Sequence, residues 1–269
     1  MKIKQLISLL LCAIIALLPL TACREPLPGT TTPPAQNTPD DNPTPEKKPT
    51  TALEYLTVSC EKMLTQSYLE TESKVKSMVM GNIESAQPAE VSSLICRGEF
   101  FHMEADGFIS TYVDGVFYVS APDLQLKNKY TVAETDLDNP MLNPTGENGA
   151  WFQSVKFNKL SFKVNADGTV TVTGKGVSAE AQAILEETFG QIPGFTFDYD
   201  SLEWNCTLDS EYRFVNQTAF LSYSTVGGVS MTLTSTLTYE YGDQYTVTAP
   251  ADANAYNEVE SFEALYSLA

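Results

Sequence analysis

Apolar side chains repeat at helical spacing immediately after Thr51. The stretch Thr51-Ala-Leu-Glu54 is a capping-box pattern, in which the threonine hydroxyl and the glutamate carboxylate satisfy backbone N–H groups at the helix start. The apolar positions that follow are Leu53, Leu56, Cys60, Met63 and Leu64. Their spacing predicts an amphipathic helix of about 15 to 20 residues with this stripe facing the core.

After residue 74 the pattern changes to the two-residue alternation of β-strands. Residues 75–80 and 91–103 are predicted strands, with a turn near Gln87-Pro88. Asp114-Gly115 and Asp167-Gly168 each interrupt an alternating run, and Asp-Gly is a strong signal for a tight hairpin turn. The pattern therefore predicts antiparallel hairpins in both halves of the chain.

Two later strands alternate most regularly. In each, apolar residues dominate one face and polar residues dominate the other, so that one face is dry and the other wet. A slip of one residue would expose the whole apolar set, which fixes the register. The apolar positions are Leu202, Trp204, Cys206 and Leu208 in the first strand, and Val229, Met231, Leu233, Leu237 and Tyr239 in the second.

Four other segments have weaker patterns. Residues 124–150 are predicted to form a loop with at most one helical turn, and Ser178 to cap a helix that Gly190 ends. A further hairpin is predicted near Gly242, leading to Tyr245 and Val247. Residues 258–268 are predicted to form a short terminal helix.

The order of these elements predicts an α+β fold without βαβ units. A helix opens the domain, hairpins follow, an internal helix interrupts them, and long hairpins close the chain. Long strands with one apolar face need a cover. One strongly curved antiparallel sheet, a half-barrel wrapped over a few helices, provides that cover and leaves an apolar space between sheet and helices.

The first 22 residues are predicted to form a leader. Lys2 and Lys4 precede an uncharged apolar run over residues 6–20, which is shorter than a membrane-spanning helix of about 20 residues. Leu20-Thr21-Ala22-Cys23 follows and resembles the lipobox of bacterial lipoproteins. The resemblance implies that residues 1–22 are removed and that the thiol of Cys23 carries a diacylglyceryl group; an ordinary secretory signal is the alternative.

Between the leader and the first helix lies a linker. Residues 23–50 are rich in Pro, Thr, Asn and Asp and have no hydrophobic period, so they are predicted to be disordered and fairly extended. The folded domain is predicted to comprise residues 51–269. The linker would hold this domain away from the membrane to which Cys23 is anchored.

Charge restricts the partners of the domain. The chain has 16 basic and 34 acidic side chains, a formal net charge of −18. Such a surface repels phosphate backbones, so nucleic acid is not an expected partner. The charge fits a hydrated surface that keeps a protein soluble outside the cell.

Three cysteines remain once Cys12 leaves with the leader and Cys23 is acylated. Cys60, Cys96 and Cys206 are an odd number without Cys-x-x-Cys spacing. An extracellular compartment would permit one disulfide and one free thiol. Three buried thiols are the alternative, because each cysteine lies where a small apolar residue would serve.

A family resemblance extends over most of residues 51–256. The lipobox, linker and opening helix, the hairpin Tyr112-Val-Asp-Gly-Val-Phe-Tyr118, and the closing Val247-Thr-Ala-Pro-Ala-Asp-Ala253 look like the LolA/LppX-like lipoproteins. The resemblance implies a half-barrel fold, and several members of that family carry lipids or lipoproteins through the cell envelope. No ligand-contacting residue is matched one by one.

Catalytic motifs are lacking, so neither an enzyme activity nor a cofactor is predicted. His102 is the single histidine, which is interpreted as a structural or surface residue because no Gly-x-Ser-x-Gly or His-Glu-x-x-His motif accompanies it. Gly174-Lys-Gly176 follows a strand, as a dinucleotide fingerprint does, but that strand belongs to an Asp-Gly hairpin. A turn followed by a helix cap is favoured.

Acidic clusters are interpreted as solvated turns, and no metal site is predicted. Two groups could offer oxygens to calcium, but neither has the spaced ligands of a calcium loop. Carboxylate pairs of the kind used by glycoside hydrolases also remain open in so acidic a chain. The two groups are Asp136-x-Asp138-Asn139 and Asp198-Tyr-Asp200.

The sequence favours a non-enzymatic, membrane-anchored extracytoplasmic module that binds or carries a hydrophobic ligand such as a lipid. Burial of apolar ligand surface, about 0.8 kcal/mol per methylene, would provide the affinity. The alternative is an interaction or sensor module with a filled core, which would bind another envelope protein. The candidate pocket residues are Met63, Leu64, Trp204, Leu208, Met231 and Leu233.

Overall fold

A computed structural model describes residues 48–98, 100–136, 157–179, 182–183, 195–225 and 229–267. Within these residues it shows one complete α-helix and a large, mostly antiparallel sheet. In chain order the elements are α1 (Ala52–Thr65), β1 (Ser67–Met80), β2 (Ile83–Ala86), β3 (Glu90–Arg97), β4 (Phe100–Ala105), β5 (Phe108–Val113), β6 (Val116–Ala121), β7 (Leu126–Thr131), β8 (Phe157–Val164), β9 (Val170–Val177), β10 (Phe195–Leu208), β11 (Phe214–Thr225), β12 (Val229–Tyr241) and β13 (Asn257–Glu258).

Helix α1 begins with the predicted capping box. The Thr51 side chain accepts from the backbone N–H of Glu54, and the Glu54 carboxylate accepts from the backbone N–H of Thr51. The buried stripe is Ala52, Tyr55, Leu56, Ser59 and Met63. The assignment of Leu53 and Leu64 to the core face is wrong, because they lie on the solvent side and are 49% and 50% exposed.

The first strand is longer than the pattern predicts. β1 starts at Ser67, directly after the helix cap Gln66, and not near residue 75. Residues 91–103 form two strands, β3 and β4, with Gly98 in the left-handed region between them. The predicted loop after residue 124 contains strand β7, which pairs with β6 along its whole length. Residues 137–150 of that loop lie outside the described residues.

Both Asp-Gly hairpins are confirmed. Asp114 and Gly115 have φ values of 51° and 76° and connect β5 to β6. Two consecutive positive φ values match the twist of an antiparallel pair, and Asp-Gly tolerates them at low cost. Gly168 has a φ of 85° in the turn between β8 and β9, where Asp167 accepts from the backbone and hydroxyl of Thr169.

Two further differences concern the C-terminal half. β11 is a 12-residue strand that the pattern did not reveal, and it lies between β10 and β12. The hairpin predicted at Gly242 is wrong, since β12 ends at Tyr241 and residues 245–250 form no strand. Alternation in β10 and β12 is confirmed, with Trp204 and Leu208 of β10 and Leu233 of β12 buried.

The strands form a single 13-stranded sheet. Their order is β13-β7-β6-β5-β4-β3-β1-β12-β11-β10-β9-β8, and β2 pairs with β1 beside this path. The end strands β8 and β13 do not pair with each other, so the sheet is unclosed, which is consistent with a curved half-barrel. β1 joins the two halves, because it pairs with β12 on one side and β3 on the other.

The C-terminal segment wraps around the β7 edge of the sheet. Val247 and Tyr256 pack on Val113 and Tyr118 on one face. Residues 257–258 then pair with β7 at the edge. A 3₁₀ turn at Glu263–Tyr266 follows on the opposite face, where Asn128 Nδ2 donates to the carbonyls of residues 264, 265 and 267 at 3.1–3.4 Å. The predicted terminal helix is therefore shortened to one turn.

Replacing Asn128 by alanine should loosen this segment. The side chain is 4% exposed, and its loss leaves buried carbonyl oxygens without their donor, so we expect a loss of about 1–2 kcal/mol in the free energy of unfolding. Urea unfolding followed by circular dichroism measures it. Asn205→Ala, at an exposed position of β10, is the matched control and should change stability little. Equal effects of the two changes would contradict the prediction.

Several predicted features lie outside the described residues. They are the leader with the predicted lipidation at Cys23, nearly all of the linker, and most of the helix after Ser178. One hydrogen bond of that helix is described, from the backbone N–H of Gln182 to the carbonyl of Ser178 at 2.8 Å. Among the described ranges, no helix is long and apolar enough to cross a bilayer.

Candidate ligand-binding face

The candidate site is the sheet face on which α1 and the terminal turn pack, called the inner face below. Alternation assigns Tyr68, Glu70, Glu72, Lys74 and Lys76 of β1 to it, and their register partners in β12 and β3 continue it across the sheet. The inner face divides into two apolar halves on either side of β1.

The half between β8 and β12 is covered by α1. Leu56 and Met63 of the helix belong to one buried cluster with Val172, Trp204 and Leu208. Trp204 is fully buried, and its indole stacks on the ring of Phe157 at 5.7 Å with an interplanar angle of 15°. Apolar side chains therefore pack helix α1 against this half of the inner face.

The half between β3 and β7 is covered by the terminal turn. Phe117 lies at its centre, 5.7 Å from Phe101 and 5.1 Å from Phe262 between ring centroids. Leu265 is fully buried in the same cluster. The aromatic rings account for most of the apolar area here, since each buries a large surface.

Strand β1 places a charged row between these halves. Lys76 Nζ contacts both carboxylate oxygens of Glu90 at 2.9 and 2.8 Å. Glu72 accepts from Ser235 at 2.7 Å and pairs with Lys74 at 2.9 Å. These groups are neutralised mutually, which is the condition under which charges can be buried.

A chain of hydrogen bonds crosses four strands toward the end of this row. Trp204 Nε1 donates to Gln217 Oε1 at 3.1 Å, and Gln217 Nε2 donates to Tyr239 Oη at 2.6 Å. The Tyr239 hydroxyl donates in turn to the carboxyl of Glu70. The chain ends on a carboxyl that forms no salt bridge within the described part of the protein.

The surroundings of Glu70 favour its neutral form. Burial raises its pKa from 4.5 to about 7; the Tyr239 hydrogen bond lowers it, Glu72 raises it and Lys74 lowers it by smaller effects. Burial likewise raises the pKa of Tyr239 well above its ordinary value. Glu70 is therefore a buried acid that titrates near neutral pH.

The predicted pocket residues are not brought together as one set. Met63, Trp204 and Leu208 share one buried cluster. Leu233 is 4% exposed but is not a member of that cluster. Met231, two residues before it on β12, is half-buried. Leu64 points to solvent and does not face the sheet. Whether any of them contacts a ligand stays a prediction.

Cys60, Cys96 and Cys206 form no disulfide among the described residues and carry thiols. Burial raises the pKa of Cys60 and of Cys96 to about 12, and raises that of Cys206 further. Because the thiolate is the reactive form, these side chains behave as small core residues. Of the two possibilities that the sequence left open, the structure has the three thiols.

The other residues singled out in the sequence have structural surroundings. His102 Nδ1 lies 2.8 Å from the Thr111 hydroxyl, and Nε2 lies 3.3 Å from a Glu104 oxygen. Gly174 and Gly176 lie within β9, so their interpretation as a turn is wrong. A helix does begin after Ser178, whose carbonyl accepts from the backbone N–H of Gln182. The ring of Phe157 covers Gly174, where a Cβ would come within 2.7 Å of it.

The acidic clusters are also placed in part. Asp136 accepts from the Tyr130 hydroxyl at 2.5 Å, while residues 138 and 139 lie outside the described ranges. Asp198 and Asp200 are exposed on β10. Among the residues that the structure describes, no group of three or more metal-ligating side chains comes together.

Sequence reasoning missed the charged row of β1. Glu70, Glu72, Lys74 and Lys76 alternate in the sequence, and this alternation is the signal that could have found the strand. It does not reveal which face is inward, because charged side chains in alternation are ordinarily assigned to solvent.

No protein-family model and no curated protein matches the sequence. Solved structures that match include the ywiB protein from Bacillus subtilis, at 10% identity and a TM-score of 0.19, covering 66% of this chain and 94% of that chain. A LolA superfamily protein, NE2245 from Nitrosomonas europaea, matches at 8% identity and a TM-score of 0.24, covering 74% of this chain and 98% of that chain. A DUF1329 family protein from Desulfovibrio piger matches at 8% identity and a TM-score of 0.22, covering 76% of this chain and 96% of that chain. Likeness at this level carries no argument about function.

Proposed function

We propose that this chain is a lipid-anchored extracytoplasmic protein that binds or carries a hydrophobic ligand on the inner face of its unclosed sheet. The observation that supports it most is the charged row inside the sheet. A core that only stabilised the fold would gain from apolar residues at these positions, because replacing buried ion pairs by apolar groups is often neutral or stabilising. Charges flanked by apolar surface suit an amphipathic ligand.

The apolar part of the proposed site lies on β11 and β12. Leu233 is directly opposite Leu221 in β11 and Lys76 in β1, so apolar and charged groups are adjacent across three strands. Tyr223 is opposite Met231 one pair further along. An acyl chain on these residues would place its polar end at β1.

The lipid content of the purified protein tests this proposal. The full chain is released from membranes in mild detergent, extracted with organic solvent, and the extract is analysed by mass spectrometry. We expect about one equivalent of lipid that is not covalently attached. An extract free of such lipid contradicts the carrier function.

Two variants on neighbouring positions locate the site. Leu233→Lys introduces a charge on the inner face and should lose most of the bound lipid, whereas Thr232→Lys places the same charge on the opposite face and should retain it. If the lysine variant does not fold, Leu233→Ala tests the same face. Equal lipid content in all variants would assign the lipid to the detergent micelle.

Membrane attachment is expected to depend on Cys23. Cys23→Ala should abolish incorporation of labelled palmitate and move the protein from the membrane to the soluble fraction, since acyl chains supply the binding energy. Cys12→Ala removes a thiol from the leader and should leave both unchanged. A Cys23→Ala protein that still sediments with membranes would exclude lipid anchoring at this residue.

The second candidate function is an interaction module for an envelope protein, with a filled inner face. Complete burial of Trp204 and its stacking on Phe157 favour it, because this half of the face is already packed. A lipid-free extract combined with capture of a defined envelope protein on the purified full chain would support it.

A further inference from the structure

Strand β8 is an uncovered edge of the sheet. It pairs with β9 along its length, and no other strand of the described ranges pairs with it. Residues 158, 159 and 161–164 are exposed, so this edge faces solvent. Between residues 158 and 164, the backbone N–H and C=O groups that point away from β9 are therefore open to a further strand.

The outer face of β8 carries positive charge. Phe162 contacts helix α1 and so faces inward, which places Lys159 and Lys163 on the opposite face. Both lysines are exposed, and neither forms an ion pair within the described part of the protein. Lys175, which lies opposite Lys159 on β9, has Glu203 as its partner. The edge is therefore basic in a chain whose formal net charge is −18.

The inner face of the same strand is apolar and only partly covered. The ring of Phe162 lies 5.1 Å from that of Tyr55 in α1, yet Phe162 is 38% exposed. Val164, two residues further on the same face, is 53% exposed. A strand added at this edge would therefore meet lysines on one face and apolar side chains on the other.

The same charges disfavour a second copy of this chain as the added strand. If two β8 strands paired antiparallel about Ser161, Lys159 of each copy would lie opposite Lys163 of the other. Like charges directly opposite each other destabilise a strand pair, and lysines on edge strands commonly prevent such pairing. Carboxylates at the facing positions would instead be attracted, so charge complementarity selects an acidic strand.

We propose that the edge of β8 binds an extended acidic segment of another protein, which adds a strand to the sheet. Its acidic residues would lie against Lys159 and Lys163, and its alternate apolar residues against Phe162 and Val164. Backbone hydrogen bonds supply affinity in this mode of recognition, and the alternating side chains supply specificity. The carrier function proposed above uses β11 and β12 and is tested separately.

Peptide binding to the full chain in mild detergent tests this proposal. One labelled peptide has the length of β8 and alternates glutamate with valine; its matched control alternates lysine with valine. Fluorescence anisotropy follows both titrations, with protein-free micelles as the blank. We expect the glutamate peptide to bind about tenfold more tightly or better, because carboxylates face the lysines of β8. Equal affinities, or no binding of the glutamate peptide, would overturn the proposal and leave the lysines a protective role only.

Charge reversal on β8 locates the binding site. The double change Lys159→Glu and Lys163→Glu should reverse the preference between the two peptides. Lys48→Glu alters an exposed lysine that precedes α1 and should leave the preference unchanged. A preference for the glutamate peptide that persists in the double variant would place the peptide elsewhere on the protein.

Hydrogen exchange separates strand addition from ion pairing alone. An added strand bonds to the outward backbone groups of β8, so the β8 amides should exchange more slowly with the glutamate peptide bound, while those of β7 at the other end of the sheet should not change. Unchanged exchange in β8 with the peptide bound would exclude strand addition. Sedimentation of the peptide-free wild type provides a further check: self-association through β8 would make a second copy the occupant and contradict the acidic partner.

Discussion

Replacing Trp204 by alanine is expected to lower the free energy of unfolding by about 3–5 kcal/mol. The indole is fully buried, stacks on Phe157 and donates to Gln217. Its removal leaves a cavity beneath α1 and an amide oxygen without its donor. Urea unfolding followed by circular dichroism measures the loss.

Trp204→Phe separates the two contributions. It keeps most of the apolar volume but removes the indole N–H, so Gln217 Oε1 loses its partner and we expect a smaller loss of about 1–3 kcal/mol. A phenylalanine variant as unstable as the alanine variant would assign the effect to the hydrogen-bond chain. If both variants were as stable as the wild type, this half of the sheet would not be part of the core.

The second large effect is a pH dependence that comes from Glu70. Its pKa is about 7 in the folded protein against 4.5 ordinarily. Below pH 4.5 the carboxyl is protonated in both states, and its full contribution to stability is present. As the pH rises, the unfolded chain releases the proton first, so stability is lost progressively until the folded group ionises near pH 7. The loss is about 3 kcal/mol at most.

Comparison with Glu70→Gln isolates this contribution. Unfolding free energies are measured between pH 4.5 and 8, and the difference between variant and wild type should grow in favour of the variant as the pH rises. Exposed carboxylates such as Asp167 and Asp252, whose pKa values are lowered by hydrogen bonds, act in the opposite direction but are common to both proteins. A constant difference would show that Glu70 titrates normally. Glu84→Gln, at an exposed position of β2, serves as the control.

Local chemistry made several elements predictable. The capping box at Thr51 and Glu54 and the hairpin turns at Asp114-Gly115 and Asp167-Gly168 depend on a few neighbouring residues, and they form as the sequence predicts. Strand β10 also follows its pattern, because one face packs against the core and the other meets water.

Other features depended on contacts between distant residues. β7 has only six residues, and the C-terminal segment that pairs with its edge lies more than 120 residues away. The buried stripe of α1 is turned away from Leu53 and Leu64 because the helix packs against Tyr212 and Phe162 through Tyr55. No local pattern carries that information.

The sequence by itself determined the antiparallel architecture, the opening helix and the acidic surface. These follow from residue spacing, turn chemistry and charge, which act within a few positions. Only the tertiary structure decided that the charged residues of β1 face inward, since alternation defines two faces and the packing of α1 and the C-terminal turn selects the buried one. For the same reason, only the structure shows that Glu70 is buried on the inner face beside Tyr239.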